Sequence, residues 1–493
     1  MRVTIRSLPG RARSYWLELR RHKLVSTAGV YVSGYVVQKA ASFLLIPIWA
    51  RFLTPQDYGI TGTLTAYAGV LATLLGLGLS GAVVRHYYDH SSDRKRLGGY
   101  ITAVILFQIA VPGLVVIALD VWGAPLWVRF TGGSIPFHPY VEVMLWATYV
   151  DLLSQIPVAL YQAQQRATQF VYVQYGRFLL GVATSILFVV TLRLGAYGVL
   201  LSQLVAGALV SATVLYLAGR TWFTRSMAWR YVRDALAYGL PLVPHSLASW
   251  VLQAADRLIL QRYVSLTELG LYSFGYTLGM AMQFLVVGIN QAWMPHYFRQ
   301  MQEDPGAERK IIRVASIYVA LIGGACLVGV LFAGEVISLL MPASYLGAAP
   351  YVPPVLTGYL LLGFYYFASA PLFYFKKTRT IPLLTGATGL VNIAGNLWLV
   401  PSLGAIASAW ITLITYGLLF LLAFRAGQRY QQIPYPLARY GFLTGLILLA
   451  TVVATPLGIL TMPGLAIKVV LVIVYAAAAY QILLRKEKGF AYA

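Results

Sequence analysis

The amino-acid sequence predicts an all-α polytopic membrane protein: about fourteen transmembrane helices, laid out as two six-helix bundles in parallel repeat with two extra C-terminal helices. Three observations predict it. Hydrophobic residues make up 59% of the chain and charged residues 11%, less than half the roughly 25% usual in soluble domains. Apolar stretches long enough for a hydrocarbon core about 30 Å thick recur fourteen times. A helix–turn–helix unit at residues 31–89 is used again 211 residues later.

The spans fall near residues 26–50, 58–84, 97–119, 140–161, 170–192, 197–218, 235–261, 270–294, 311–333, 351–374, 380–400, 404–424, 438–461 and 465–484. Placing the N-terminus in the cytoplasm puts 29 of the 37 Lys and Arg on the inner side, six outside and two within spans. That asymmetry sets the orientation by the positive-inside rule and supports the span count, since one missed helix would scramble the alternation. Both termini are therefore expected in the cytoplasm. The formal charge of +22 belongs to these inner segments and not to a nucleic-acid surface, so nucleic acid is excluded as a partner.

Residues 1–25 form a basic cytoplasmic segment with seven Arg or Lys. No small-residue cleavage site follows it, so it does not read as a cleavable signal peptide. Tyr15, Trp16 and Leu17 among its arginines suit a segment lying on the lipid surface. The lone Cys326 has no intrachain partner and reads as packing.

The repeat fixes the domain plan. The turn Arg51-Phe52-Leu53-Thr54-Pro55-Gln56-Asp57-Tyr58-Gly59 recurs as Arg262-Tyr263-Val264-Ser265-Leu266-Thr267-Glu268-Leu269-Gly270, and Leu194-Gly195-Ala196-Tyr197-Gly198 recurs as Leu403-Gly404-Ala405-Ile406-Ala407 at an offset of 209. Six spans separate the copies, an even number, so both halves share one orientation. The expected domains are a bundle at 26–218, a cytoplasmic linker at 219–234, a second bundle at 235–424 and the extra pair with a basic tail at 425–493. Loops are short: the largest outer segment has about twenty residues and the largest inner one sixteen. No phosphate-binding P-loop or Rossmann glycine pattern occurs, so no nucleotide cofactor is expected.

Charges and polar stripes inside the spans are the candidate functional residues, because a Lys at mid-bilayer costs about 2.5–3.5 kcal/mol on insertion scales. Lys39 shares a helical face with Tyr31, Tyr35, Gln38 and Ser42. Such a stripe lines a cavity between helices, or else Lys39 simply pairs with a carboxylate such as Asp151. In the second half His245, Ser249, Gln253 and Asp256 share a face behind Pro241 and Pro244. Prolines within a span bend it, a property suited to a gate, and His245 is either a proton site or a hydrogen-bonded structural residue. Asp256 and Arg257 read as an interface anchor or a substrate contact. Arg177 offers a planar fork of donors for phosphate or carboxylate, unless it snorkels to the interface. Thr385, Thr388, Asn392 and Asn396 mark one face of span 11, while Gln283, Asn290 and Gln291 mark span 8. Amides and hydroxyls recognise sugars, and they also join helices. The six His and one Cys have no ligand spacing, so no metal site is expected.

The turn at Ala50–Gly59, the end of span 2 at Leu77-Gly78-Leu79-Ser80-Gly81-Ala82, and Ala255-Asp256-Arg257-Leu258-Ile259-Leu260 with Gly270-Leu271-Tyr272-Ser273 resemble the polysaccharide-transporter (Wzx-like oligosaccharide flippase) branch of the multidrug/oligosaccharidyl-lipid/polysaccharide (MOP) exporter superfamily. The likeness covers the whole chain. It implies a bacterial inner-membrane flippase, not an enzyme. Its cargo would be polyprenyl-pyrophosphate-linked oligosaccharide, moved by alternating access for surface polysaccharide synthesis. Energy coupling differs across that family, so proton and sodium exchange both stay open; a polysaccharide polymerase and a chain-length regulator are the candidate protein partners. By the same resemblance Lys39, Arg51 and Arg177 would meet the anionic headgroup, while the polar stripes themselves make Tyr35, Gln38, Asn392 and Asn396 cavity candidates. The residues' own chemistry makes Asp151, His245, Asp256, Pro241 and Pro244 candidates for coupling or gating, and the resemblance implies that the extra helix pair would border a lipid groove. Two competing readings are a drug/cation antiporter of the superfamily, which would favour buried carboxylates over cations, and a membrane polymerase or ligase, which would need a larger outer loop. An uncoupled scramblase is the third, and in it Lys39 would matter little.

Overall fold

The structure is a computed structural model that describes residues 41, 43–90, 93–225, 228–303, 306–454 and 459–484. Among the described residues the chain is helical throughout, with no strand. The helices are α1 (Ile46–Phe52), α2 (Pro55–Gly76), α3 (Leu79–His90), α4 (Arg94–Thr131), α5 (Glu142–Ala163), α6 (Ala167–Ser185), α7 (Gly195–Trp222), α8 (Trp229–Gly239) and α9 (Val243–Tyr263). They continue as α10 (Leu266–Gly279), α11 (Ala281–Glu303), α12 (Ala307–Leu340), α13 (Val352–Tyr374), α14 (Thr380–Leu403), α15 (Ala405–Gln428), α16 (Leu437–Val453) and α17 (Met462–Leu484).

Eleven described segments are long and apolar enough to cross a membrane. Of the other expected spans, 26–50 lies mostly outside the described residues, 235–261 corresponds to α9 with Asp256, Arg257 and Arg262 on it, and 438–461 corresponds to the shorter apolar α16. Large apolar side chains are widely exposed, among them Leu383 at 72%, Leu390 at 70% and Trp398 at 78% on α14. A soluble protein would hide a surface of this kind; a bilayer covers it. The chain is a multi-pass membrane protein.

Contacts divide it into two compact units: the described parts of Met1–Phe52 with Ala68–Ser246, and Leu53–Tyr67 with Leu247–Ala493. The expected linker at 219–234 takes in the end of α7 and the start of α8.

In the first unit, α3, α4, α5 and α8 bury Leu79, Val83, Ile101, Ile156, Val232 and Ala235. Asp93 caps α4 by accepting a hydrogen bond from Arg96 N at 3.0 Å, and Gly132, at φ 72°, closes its C-terminus in the left-handed conformation. Gly78 is also left-handed, at φ 67°, and a Cβ there would meet the Gly239 carbonyl at 2.7 Å. The turn after α2 therefore packs backbone to backbone on the end of α8. The α5–α7 contact is tied by Ser211, which donates to the Val150 carbonyl, and Gln108 of α4 donates to Leu152 O at 3.0 Å.

In the second unit the repeat becomes physical. Thr54 and Asp57 form a reciprocal capping box at the start of α2: Asp57 N donates to Thr54 Oγ1 at 3.2 Å and Thr54 N to Asp57 Oδ2 at 2.8 Å. Ser265 caps α10 in the same way, accepting from Glu268 N at 3.2 Å. Here the copies part, because the Glu268 carboxylate accepts from Ala405 N, at the start of α15, at 2.8 Å. The helices begun by these caps cross at the two equivalent glycines. A Cβ on Gly59 would strike the Leu266 carbonyl, and one on Gly270 would strike the Pro55 carbonyl. Tyr345 donates to Leu53 O, and Tyr58 meets Phe274 and Tyr345 edge-on at 5.2 and 5.7 Å.

Helix α13 is almost wholly buried and forms the axis of this unit. The extra pair α16–α17 docks through polar contacts: Thr357 with Thr451 at 2.7 Å, Ser316 with Tyr440 at 2.7 Å, and Tyr475, which donates to Val319 O at 2.6 Å. Deepest is an ion pair between Lys468 of α17 and Glu335 of α12, with side chains 1% and 7% exposed.

Two outcomes follow. Gly270→Ala is expected to destabilise by about 1–3 kcal/mol or more, as overpacking against a backbone that cannot yield. Gly386→Ala on α14, where a Cβ meets nothing within 4 Å, is expected to be neutral or to stabilise by up to about 1 kcal/mol; thermal unfolding in detergent compares them. Lys468→Ala, which strands the buried Glu335, should cost about 3–5 kcal/mol, whereas Glu335→Leu with Lys468→Met should restore most of it. Retained stability in Lys468→Ala would show that the pair does not hold α17.

Candidate functional site

Midway along α5, Asp151 meets Arg177, midway along α6, in an ion pair from Arg177 Nη2 to Asp151 Oδ2. The helix bounds put both in the middle of their spans, where either charge alone would be costly. The pair is only part-buried: the Arg177 side chain is 38% exposed and that of Asp151 32%. Asp151 Oδ1 lies against Gly207 of α7, where a Cβ would sit 2.6 Å away, and has no hydrogen-bond partner among the described residues. The glycine therefore makes room for a carboxylate. A guanidinium tied by one donor keeps others in its fork for a phosphate oxygen.

Asp151 is thus the partner of Arg177. Lys39, Tyr35 and Gln38 lie outside the described residues. Arg51 is exposed in the last turn of α1.

In the second unit Asp256 and Arg257 of α9 are enclosed by tyrosines. Asp256 accepts from Tyr272 Oη of α10 and from Arg257 N at 2.8 Å. The Arg257 guanidinium reaches Asp256 Oδ1 at 3.6 Å and stacks 4.6 Å over the Tyr276 ring. Tyr276 bonds Tyr359 of α13 at 3.0 Å, and the Tyr359 and Tyr416 rings are 5.5 Å apart. Four helices, α9, α10, α13 and α15, so converge on one neutralised charge pair. A satisfied network of this kind fixes the relative positions of its helices.

The prolines fall where the expected span 235–261 is interrupted between α8 and α9. Pro241 sits in a 3-10 turn, Leu240–Leu242, and Pro244 in the first turn of α9. A first-turn proline gives up no intrahelical hydrogen bond, so these residues step the chain from α8 into α9 without kinking the body of α9. His245 is exposed beside them.

Asn392 and Asn396 of α14 are buried at 4% and 0% exposure. Asn392 donates to Thr415 Oγ1 at 3.3 Å; Asn396 donates to Asn392 O at 2.8 Å and accepts from Ser408. Their polar groups join α14 to α15.

Sequence reasoning missed Glu335 and Lys468. By sequence Lys468 lies near the outer end of its span, among the outer basic residues, whereas the structure buries it. The signal that could have found it is a complementary charge: Glu335 sits at a matching depth at the end of α12. A cavity of about 120 Å³ lies beside this pair, walled by Val330, Leu331, Leu346, Pro350, Pro353 and Ile459. That is well below the roughly 300 Å³ of small-molecule sites, so it is not a cargo site.

Beyond the spans, His86 of α3 stacks on Tyr100 at 3.6 Å and on His90 at 4.2 Å. Burial, then the charges of His90 and Arg96, lower its pKa to about 4. The ring is neutral at physiological pH. Among the described residues no cluster of three His, Cys, Asp or Glu is placed to hold a metal.

Residues 24–302 match the family described as polysaccharide biosynthesis protein. Two proteins of Haemophilus influenzae are similar: "Lsg locus putative protein 1" is 21% identical over 80% of this chain and 97% of its own, and an "Uncharacterized membrane protein" is 20% identical over 73% and 86%. Among solved structures, "Lipid II flippase MurJ, inward closed conformation" superposes with a TM-score of 0.73 at 12% identity, covering 92% of this chain and 98% of that one. An inward-facing multidrug resistance MATE family transporter of the MOP superfamily gives 0.63 at 15% identity, covering 83% and 96%. The chain belongs to the polysaccharide biosynthesis protein family and has the fold of the MOP-superfamily transporters.

Proposed function

We propose that this chain is a flippase that carries polyprenyl-pyrophosphate-linked oligosaccharide from the cytoplasmic to the outer leaflet of a bacterial inner membrane, by alternating access, for surface polysaccharide synthesis. The observation that carries the reading is the conjunction of family and fold: a polysaccharide biosynthesis family match over residues 24–302 on a fold shared nearly end to end with a lipid II flippase.

Chemistry supports it. A lipid diphosphate crossing a membrane must trade its hydration for protein donors, and planar or point cations within spans supply them. Lys39, Arg51 and Arg177 are the residues assigned to the headgroup. Tyr35 and Gln38 take the adjoining cavity wall. Asn392 and Asn396, taken up in joining helices, serve the cargo by fixing α14 against α15. Asp151, Asp256 and His245, with Pro241 and Pro244, are assigned to coupling and gating, with a proton or sodium ion as counter-ion. Both termini are assigned to the cytoplasm by the Lys and Arg asymmetry. A polymerase and a chain-length regulator are the protein partners that such a pathway places next. The second reading, a drug antiporter, draws on the MATE likeness.

The test is outward movement of labelled polyprenyl-pyrophosphate oligosaccharide in vesicles holding the full chain. Lys39→Ala is expected to slow it about ten- to hundredfold, the loss of one charge-assisted hydrogen bond of about 1.5–3 kcal/mol, and Lys39→Arg to retain most of it. Unchanged transport in Lys39→Ala would remove Lys39 from the headgroup site. Movement of organic cations, with none of the lipid-linked glycan, would establish the antiporter instead.

A further inference from the structure

We propose that α8 and the end of α7 form a docking site for the headgroups of acidic phospholipids, on the side that the Lys and Arg asymmetry assigns to the cytoplasm. This goes beyond the transport reading and does not rest on it. Helix α8 buries Tyr231, Val232, Ala235 and Gly239 against its own unit, which leaves an outer face of unusual make-up. Trp229 at its start and Leu240 in the 3-10 turn that follows it lie on one line, with Leu236 between them turned partly into the core. Trp229 is 70% exposed and Leu240 48%. Immediately beside that line run Arg230 and Arg233, three residues apart and both exposed.

An apolar line flanked by a basic line is the pattern of a helix lying in the plane of the interface, its aromatic and aliphatic edge among acyl chains and its arginines among phosphates. The preceding segment continues it. Phe223 is 43% exposed, Arg225 is exposed, and Arg220 is held over the Tyr216 ring at 4.8 Å.

Charge complementarity decides the occupant. Residues 216–240 hold four Arg against one carboxylate, Asp234. Asp234 acts electrostatically on His86 and Tyr100, which places it toward α3 and α4. No ion pair involving Arg225, Arg230 or Arg233 occurs among the described residues, and the Arg230 contact with the Tyr231 ring at 5.3 Å engages the face of the guanidinium and not its N–H donors. A phosphatidylglycerol-type headgroup offers a negative charge beside acyl chains for Trp229; a zwitterionic lipid offers the chains without the net charge.

The test uses the full chain in nanodiscs of phosphatidylcholine doped with lipids brominated on the acyl chains. Brominated phosphatidylglycerol is expected to quench tryptophan fluorescence more than brominated phosphatidylcholine, and Trp229→Phe is expected to abolish the excess. In detergent, phosphatidylglycerol should raise Tm by several degrees over phosphatidylcholine, and Arg225→Gln with Arg230→Gln and Arg233→Gln should lose most of that rise. Equal quenching by the two lipids, or excess quenching that survives Trp229→Phe, overturns the proposal. So does a Tm rise untouched by the triple variant, or one produced by polyprenyl pyrophosphate and not by phosphatidylglycerol, which would give the basic line to a cargo headgroup. Should the triple variant fail to fold, the Trp229→Phe quenching comparison decides alone.

Discussion

Opposite charges held in contact inside the spans tie the helices of this protein together, and much of the packing follows from the need to keep them paired. In hydrocarbon neither member of such a pair has water to return to, so removing one partner strands the other at high cost. Asp151 and Arg177 thereby join α5 to α6, Lys468 and Glu335 join α17 to α12, and the Asp256–Arg257 doublet draws tyrosines from α10, α13 and α15 around itself. The three differ in what surrounds them. The pair on α5 and α6 is about one-third exposed, whereas the other two are sealed; Asp151 Oδ1 and Glu335 Oε2 each have no hydrogen-bond partner among the described residues. Of the three, the first alone combines a full charge with access.

The fold class was legible because it rests on composition and period, which a bilayer enforces more strictly than water does. A segment short of the hydrocarbon thickness, or carrying unpaired charge, does not cross, so apolar runs and basic loops map onto helices with small error. The repeat was legible for a more local reason. Thr54, Asp57 and Gly59 recur as Ser265, Glu268 and Gly270 because capping and close crossing need those residue types at those spacings. The identity of the crossing partner was not legible: glycine announces a close approach without naming what approaches.

The site was less legible than the fold. Polar stripes on a single helix cannot say whether amides meet a sugar or another helix, and Asn392 and Asn396 meet Thr415 and Ser408. Pairings between distant segments were equally hidden. Asp151 belonged to Arg177, 26 residues on, while Lys468 found Glu335 at a separation of 133. Depth in the membrane was the usable clue, since two opposite charges at one level on different spans are candidates for each other on sequence alone.

The crossing at Gly59 and Gly270 bears on how the protein is made. Residues 53–67 are synthesised early but are packed within the second unit, against a helix encoded 211 residues later. At about 5–20 residues per second, the start of α2 waits some tens of seconds in the membrane before α10 arrives to accept it. During that interval the capping box at Thr54 and Asp57, which needs no partner outside its own turn, is what keeps the helix end in shape. A break in the chain between residues 67 and 247 would leave part of the second unit's core, residues 53–67, on the first fragment.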